Sequence, residues 1–598
     1  MSWAYKGVPV LESISQTQPT EAGSPIPDKV GDSNTEFKMT RDNLTKSEQK
    51  TMGVAQKDQE KDPGAQEAIA EQSPVINTQQ KKEIGAARPE SEEKNPAQPS
   101  LETWEEFNWT YLKWRIAKHN GKEVKREFIS GKCVFPECDS LTFDSVDELA
   151  KHYQDKAESL NPEVFPHEEV YSPFREITLE EVGRLMEGTI ADDYVTKVII
   201  LLNNLLSQTE ECFNVTLSGG SSEGKTYLVL EVVSYFPQEE VIKISNPSPT
   251  AFHHENGELV DEKFNPIGDE IERLGHRIRE LESVKKAERK PKEERELLES
   301  IAKLKRLRDS ARKLIDYSGK VVVVLDVDNK GFIEKLRSVL SHDDKIIDIP
   351  ITNPSTHKTE HILIKGPFAA NFATTIGHFD EQELTRNMYL SPEVTQDKLA
   401  ATQKLIARKR NDSEAFERMK KSLMGYRSLV SRIELIRYKG IKKFKADFPS
   451  ENYLIDKFNS DKKFRKPRHN RDIPRLYSLS EADALLNCYN RRAVPGREDT
   501  IVFTPEDVDR AFELYGPIAE ANEHNVTPEL MEIHKLIVSD GKAGLSKDEI
   551  KDMYLKHMGY RIEDTRLVRE IIPALVDAGL LSESKDQVDH RKRLYSPV

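Results

Sequence analysis

An eight-residue stretch, Gly219–Thr226, carries the pattern most indicative of chemistry in this chain of 598 residues. A β-prone run over 213–217 precedes it, and apolar residues at helical spacing follow it over 227–236. Strand, glycine-rich loop and helix in this order indicate a phosphate-binding loop, because backbone N–H groups of the loop and of the helix N-terminus can hold phosphates. The residues expected to bind ATP are Gly219, Gly220, Ser221, Ser222, Glu223, Gly224, Lys225 and Thr226. We expect Lys225 to reach the β- and γ-phosphates and Thr226 to ligate Mg²⁺.

A second candidate for phosphate chemistry is Asp326, which follows the run Val321–Leu325. Four valines and a leucine predict a buried parallel strand, and a carboxylate at its C-terminal end would lie beside the nucleotide. We therefore expect Asp326 to hold Mg²⁺ through water. ATPases with such a loop and such a strand-terminal Asp usually carry a Glu directly after the Asp, and this Glu polarises the attacking water. In this chain Val327 stands at that position. Asp328 is the candidate for that role, with Glu223 as the alternative.

Three more features follow Asp326 along the chain: a predicted hairpin, a pair of threonines after an apolar run, and Arg386. Two β-prone runs within 349–366 flank the polar tip Asn353–Lys358, which predicts a hairpin with a basic end. The next apolar run, 368–373, ends in Thr374 and Thr375, and a polar segment then leads to Arg386.

In this order of motifs the chain resembles AAA+ ATPases of the pre-sensor-1 hairpin clade, which includes minichromosome-maintenance and superfamily-three helicases. The resemblance covers roughly residues 190–520. It implies that Thr374 or Thr375 contacts the γ-phosphate or the attacking water. It also implies that Arg386 is an arginine finger that reaches the nucleotide of a neighbouring subunit, so that monomers would hydrolyse ATP poorly.

The same resemblance implies a ring, with a hexamer as the expected form, in which Lys358 lines a channel for single-stranded DNA. Arg471 or Arg475 would serve as the second sensor in a helical lid. The layout as a whole is similar to ATPase/helicase proteins of phages, plasmids and other mobile elements, which often lie beside a primase. A primase or another replication protein is therefore an expected partner.

The segment after residue 100 is aromatic. Trp104, Phe107, Tyr111 and Trp114 share one face if the segment is helical, and the sequence therefore predicts an aromatic helix. We interpret these side chains as core or docking residues rather than as a platform for stacked bases.

A metal site is a candidate farther along the same segment. Cys133 and Cys138, followed by His152, resemble the first three ligands of a two-Cys two-His zinc finger. The fourth ligand is missing at that family's spacing, and His167 or Asp155 could substitute. A zinc-binding finger and a small ββα core held by packing alone both remain open, and a finger could dock on protein as well as on DNA.

Composition limits the classes of protein to which the chain can belong. The net charge of −14 argues against a protein that coats nucleic acid uniformly, although local basic sites exist. Four cysteines exclude a disulfide scaffold and fit a reducing compartment. The sequence shows no apolar run long enough to span a bilayer and no signal peptide. We therefore expect a cytoplasmic protein without a membrane partner.

The elements that must position these residues form a multidomain α/β protein. Helical spacing interrupted at Pro291 predicts an antiparallel helical insertion over 265–315. The predicted segments are a disordered tail (1–100), an aromatic helix and zinc-finger-like module (101–170), an AAA+ ATPase core with a parallel sheet (171–396), a helical lid (397–522) and a winged helix (523–598).

The predicted winged helix consists of three helices and a hairpin. Its candidates for nucleic-acid phosphates are Arg566, Arg569, Arg591 and Arg593, with protein contacts as the alternative.

The sequence thus predicts an ATP-dependent DNA helicase or translocase of a mobile-element or viral replication system. The alternatives are an ATP-regulated DNA-binding loader or regulator that unwinds nothing, and a non-catalytic adaptor.

Overall fold

The structure, a computed structural model, describes residues 103–119, 122–159, 171–245, 247, 257–284, 290–327, 332, 339–341, 344–352, 359–375, 386–542 and 544–598. The predicted tail (1–100) and the candidate residues His167, Asp328 and Lys358 lie outside this part of the chain. The strands are β1 (Thr103–Asn108), β2 (Leu112–His119), β3 (Lys122–Lys132), β4 (Thr142–Phe143), β5 (Asn214–Ser218), β6 (Val241–Ser245), β7 (Glu258–Val260), β8 (Arg312–Asp316), β9 (Val321–Leu325), β10 (Ile346–Thr352), β11 (Thr359–Lys365), β12 (Ala369–Thr374), β13 (Asn387–Leu390), β14 (Lys443–Ala446), β15 (Ala493–Val494), β16 (Arg497–Phe503), β17 (Leu545–Ser546), β18 (Leu581–Lys585) and β19 (Arg593–Pro597).

The α-helices are α1 (Val146–Ser159), α2 (Leu179–Leu185), α3 (Tyr194–Leu206), α4 (Lys225–Val233), α5 (Gly268–Ser283), α6 (Pro291–Ser310), α7 (Gln396–Asn411), α8 (Ser413–Ser422), α9 (Met424–Lys439), α10 (Tyr453–Asn459), α11 (His469–Leu486), α12 (Pro505–Glu523), α13 (Pro528–Asp540) and α14 (Lys547–Met558). A last helical segment, called α15, joins Asp564–Arg566, the π-helical Leu567–Ile571 and Ile572–Asp577. None of the helices in the described residues has the length and apolar character needed to cross a membrane.

A five-stranded parallel sheet, in the order β13-β5-β12-β9-β6, forms the centre of the fold. Strands β5, β12 and β13 are buried along their whole length, and all four valines of the apolar run in β9 are buried as well. The carboxyl ends of all five strands meet at one edge, because the strands are parallel. The predicted α/β class with a parallel sheet is confirmed.

Most of the region predicted as a lid packs against this sheet. Side chains of α11 and α12, among them Leu476 and Leu514, belong to the same hydrophobic cluster as those of α3, α4 and β13. The Asn522 amide in α12 donates to the carbonyl oxygen of Tyr389 (3.0 Å) and accepts from its N–H (2.9 Å). This pair of bonds fixes α12 to β13, so α11 and α12 are a layer of the core.

A second, mixed sheet has the order β10-β11-β8-β7. Strands β10 and β11 pair antiparallel, as the hairpin prediction requires. The predicted helical insertion is observed as the antiparallel pair α5 and α6, which is joined by the ion pairs Arg277–Glu296 (2.9 Å) and Lys303–Glu270 (2.5 Å). The insertion ends earlier than predicted, since its last residues form β8.

The aromatic helix predicted near residue 104 is wrong. The segment forms β1 and β2 of a four-stranded sheet, β1-β2-β3-β4. Phe107 and Trp114 face each other across the two strands, and their rings stack with centroids 4.3 Å apart. The spacing of these residues also fits a helix, but a turn between β1 and β2 brings them together instead. Aromatic side chains also favour strands.

The C-terminal residues form a unit with its own hydrophobic core. It contains α13, α14, α15 and a three-stranded antiparallel sheet in the order β17-β19-β18. Two of its helices begin where the sequence predicts: the Thr527 side chain caps α13, and Ser546 with Glu549 forms a capping box on α14. Three helices and a hairpin are therefore observed in the predicted order.

Candidate nucleotide-binding site

The glycine-rich loop lies at the carboxyl edge of the parallel sheet, between β5 and α4. Ser222 and Gly224 have the left-handed φ values of 68° and 87°, and α4 begins at the next residue, Lys225. The first N–H groups of a helix have no partner within the helix, and its N-terminus carries partial positive charge. The loop therefore has the backbone form that can bind an anion.

Lys225 directs its ammonium group back into this loop. Nζ donates to the carbonyl oxygens of Gly219 (2.9 Å) and Gly220 (2.5 Å), and the residue is only 7% exposed. Burial lowers the pKa of Lys225, and the nearby Glu223 carboxylate opposes that shift. The lysine is thus held where phosphate oxygens would meet it.

The Glu223 side chain lies close to the backbone of Gly219 and Gly220. A Cβ atom at either position would clash with one of the Glu223 carboxylate oxygens. The carboxylate therefore lies against the first two residues of the loop.

Two of the other predicted residues reach the same edge. Thr374 pairs with Ser218, the last residue of β5, and Asp326 directly follows β9, the strand on the other side of β12. Asp326 is exposed and has a left-handed φ of 53°. Its negative charge opposes the lowering of the Lys225 pKa by burial, so the two groups are electrostatic neighbours.

The structure distinguishes the two threonine candidates. Thr374 is 1% exposed, and its hydroxyl donates to the carbonyl oxygen of Val327 (2.8 Å). Thr375, the next residue, is exposed at the end of β12. Of the pair, Thr375 is better placed to meet a ligand, whereas Thr374 connects two strands of the sheet.

Arg386 lies at the opposite edge of the sheet. It directly precedes β13, whose first residue pairs with Asn214 at the start of β5, and its carbonyl oxygen accepts from the Asn214 amide (3.2 Å). At about 3.3 Å per residue, the glycine-rich loop begins roughly 20 Å farther along the sheet. Arg386 therefore cannot serve the loop of its own chain.

A cavity of about 600 Å³ opens beside the loop. Its walls come from the segment before α3, from the glycine-rich loop and α4, and from α7. Residues of these three walls include Ile190, Ala191, Ser222, Gly224, Tyr227, Leu399, Thr402 and Leu405. The ion pair Lys398–Asp193 (2.5 Å) is buried and anchors α7 to the start of α3. The cavity has the size of a small-molecule site and adjoins the glycine-rich loop.

Arg566, which the sequence predicts to contact nucleic-acid phosphates, is largely buried in the structure. It forms ion pairs with Glu529 (2.6 Å) and with Glu223 of the glycine-rich loop (3.3 Å). Burial, together with the negative charge of Glu223, raises the pKa of Glu529 to about 7. Arg566 thus contacts the candidate nucleotide site. Sequence patterns gave no signal for this contact, because 343 residues separate the two partners.

The other candidate arginines have different environments. Arg475, one of the candidates for a second sensor, is buried and donates to Asp472 (2.9 Å), whereas Arg471 is exposed. In the C-terminal unit Arg569, Arg591 and Arg593 are exposed, and Arg593 pairs with Glu583 (2.9 Å).

The structure also brings Cys133, Cys138 and His152 together, with their ligand atoms all within 4.8 Å of one another. In comparisons with known proteins, no protein-family model matches this chain, and no curated protein is similar enough to count as a match.

Proposed function

We propose that this chain is an ATPase of the AAA+ type that acts on DNA as a helicase or translocase in a mobile-element or viral replication system. ATP would place its phosphates on the glycine-rich loop and its base and ribose in the adjoining cavity. The observation that carries the proposal is the convergence of Lys225, Asp326 and Thr375 at one edge of the sheet, beside that cavity.

Each of these residues would have its own role in phosphoryl transfer. Lys225 and the N–H groups at the start of α4 would stabilise the charge on the β- and γ-phosphates. Thr226 and Asp326 fit Mg²⁺, because a hydroxyl at the start of α4 and a carboxylate at the same sheet edge are oxygen ligands. Mg²⁺ would supply positive charge to the transferring group. Thr375 would orient the terminal phosphate or the attacking water.

Several further parts of the proposal rest on the AAA+ resemblance. Arg386 would complete the site of a neighbouring subunit in a ring, since it lies too far from its own loop. The β10–β11 hairpin would line the channel for single-stranded DNA. The C-terminal unit, as a winged helix, would meet duplex DNA or a protein partner through Arg569 and Arg591, which are exposed.

One observation favours the second candidate function, an ATP-regulated loader that unwinds nothing. The residue after Asp326 is Val327, which is 1% exposed and whose N–H donates to Ala373 (3.2 Å). It offers no group to polarise water, so hydrolysis would be slow unless another carboxylate supplied that function.

The test combines ATP binding, ATP hydrolysis and strand displacement. We expect Lys225→Ala and Asp326→Asn to lower DNA-stimulated hydrolysis at least about 100-fold, the range seen when a charge-stabilising group is removed. The matched controls are Lys243→Ala on β6 and Asp316→Asn on β8, which lie outside the site and should retain activity.

If the variants and their controls lose hydrolysis to the same extent, Lys225 and Asp326 do not form the proposed site. Wild-type protein that hydrolyses ATP with DNA but displaces no strand would exclude a helicase and leave the loader. If the wild-type protein neither binds nor hydrolyses ATP, a non-catalytic adaptor is the remaining function.

A further inference from the structure

Three side chains of the kinds that ligate metals meet in the N-terminal module, which consists of β1 to β4 and α1. Cys133 follows β3, Cys138 ends a short 3₁₀ turn over Pro136–Cys138, and His152 lies on α1. One ligand atom from each lies within 4.8 Å of the other two. Tetrahedral zinc with bonds of about 2.0–2.3 Å holds its ligands about 3.3–3.8 Å apart, so the three atoms need only a small contraction.

An independent observation points to a missing ligand at this place. The Nε2 atom of His152 is buried and has no hydrogen-bond partner among the described residues. A buried polar atom without a partner is costly and calls for an explanation. Its ring packs on Phe143, with centroids 4.8 Å apart, which holds it beside the two cysteines.

We propose that Cys133, Cys138 and His152 bind a zinc ion that holds the N-terminal module in shape. Two thiolates and an imidazole suit a borderline-soft tetrahedral ion, whereas Mg²⁺ and Ca²⁺ prefer oxygen ligands. The cysteines are 1% and 3% exposed, so that the ion would be shielded on their side. A fourth donor, solvent or protein, completes the tetrahedron.

The surrounding contacts indicate what this ion would stabilise. The N–H of Val134 donates to the hydroxyl of Tyr153 (2.8 Å), which joins the cysteine segment to α1. Asp139, next to Cys138, forms an ion pair with Arg427 of α9. The ion would therefore fix the end of β3 to α1 and, through Asp139, hold the module against α9. This role is independent of the proposed nucleotide chemistry.

The test measures zinc in the purified full-length chain. After dialysis against metal-free buffer we expect about one zinc per chain in the wild type and less than about 0.1 in Cys133→Ser, Cys138→Ser and His152→Ala, because each loses a ligand. Cys212→Ser, which changes a buried cysteine outside the cluster, is the matched control and should retain the ion.

A second measurement does not depend on whether the variants fold. Wild-type protein is stripped by a chelator and titrated with Co²⁺ and then with Zn²⁺. We expect thiolate-to-cobalt absorption that Zn²⁺ abolishes, and a thermal midpoint that falls on stripping and returns with one equivalent of Zn²⁺. Wild-type protein that contains no zinc and gives no cobalt absorption would overturn the proposal. Zinc loss in Cys212→Ser equal to that in Cys133→Ser would also overturn it.

Discussion

Arg566 attaches the C-terminal unit to the glycine-rich loop and pairs with two carboxylates, of which only Glu223 belongs to the loop. Its guanidinium pairs with Glu529 of the same unit and with Glu223 of the loop. The three side chains are mostly buried, so each charge depends on the others for compensation. Removal of the arginine would leave two neighbouring carboxylates facing each other.

We therefore expect Arg566→Ala to lower the free energy of unfolding by about 3 kcal/mol, the usual cost of breaking a buried ion pair. Denaturant unfolding, followed by a probe in the C-terminal unit, measures the change. Arg569→Ala, an exposed neighbour on α15, is the control and should cost less than about 0.5 kcal/mol. Glu529→Gln added to Arg566→Ala should recover part of the loss. Equal effects of the two single variants would argue against the ion cluster.

Glu434 gives the contact between α9 and the N-terminal module a dependence on pH. Its carboxylate accepts from the backbone N–H groups of Thr110 (2.8 Å) and Tyr111 (2.7 Å). Burial raises its pKa from 4.5 to about 7, although these hydrogen bonds oppose the shift. Since the pKa in the folded state is the higher one, the stabilising contribution is present below the unfolded value and is lost as pH rises through about 7.

The corresponding prediction compares wild type with Glu434→Gln. Between about pH 4 and pH 8, the stability of wild type relative to the variant should fall by about 3 kcal/mol, since one pKa unit corresponds to about 1.4 kcal/mol. Thermal or urea unfolding across that range measures the difference. Glu417→Gln, at an exposed position of α8, should show no such slope. A stability difference that does not change with pH would mean that Glu434 ionises normally.

At the scale of elements, α7 closes the cavity beside the loop. Thr402 lines the cavity, whereas Gln403, the next residue of the helix, is exposed and does not line it. We expect Thr402→Trp to fill part of the cavity and weaken ATP-analogue binding at least about tenfold, or about 1.4 kcal/mol. Calorimetry measures the affinity, with Gln403→Trp as the control. If both variants bind alike, the nucleoside does not occupy this cavity.

Element by element, the sequence predicted what local patterns encode. The valine run of β9, the helix after the glycine-rich loop and the caps at Thr527 and Ser546 were all recognisable, because periodicity and capping are local. The aromatic segment was misassigned because Phe107 and Trp114 are cross-strand neighbours whose spacing also fits a helix. The Arg566 contact could not be predicted, because docking between distant segments leaves no periodic signal.

At the scale of the whole molecule, the proposed site would be shared between subunits. Lys225 would act on the nucleotide of its own chain and Arg386 on that of a neighbour. We expect Lys225→Ala and Arg386→Ala to be inactive alone. A one-to-one mixture should regain about a quarter of wild-type hydrolysis, since one site in four would then combine an intact loop with an intact arginine.

The mixing experiment is measured as DNA-stimulated phosphate release after the subunits exchange. Lys225→Ala alone, taken through the same exchange procedure, supplies the background rate. No recovery in the mixed sample, with exchange shown by a labelled subunit, would mean that Arg386 does not act in trans.

The positions of the loop and Arg386 at opposite edges of the parallel sheet would limit the symmetry of an assembly in which Arg386 completes the site of a neighbour. In an isologous dimer every contact is reciprocal, so the loop could meet the partner's arginine only if one patch of the surface included both edges of the sheet. If the two edges belong to separate patches, the interface would be heterologous, with each subunit offering a different surface on each side. Such an interface repeats until it closes into a cyclic assembly or continues as a helix. In an open assembly, one terminal subunit would keep a nucleotide site that no arginine completes.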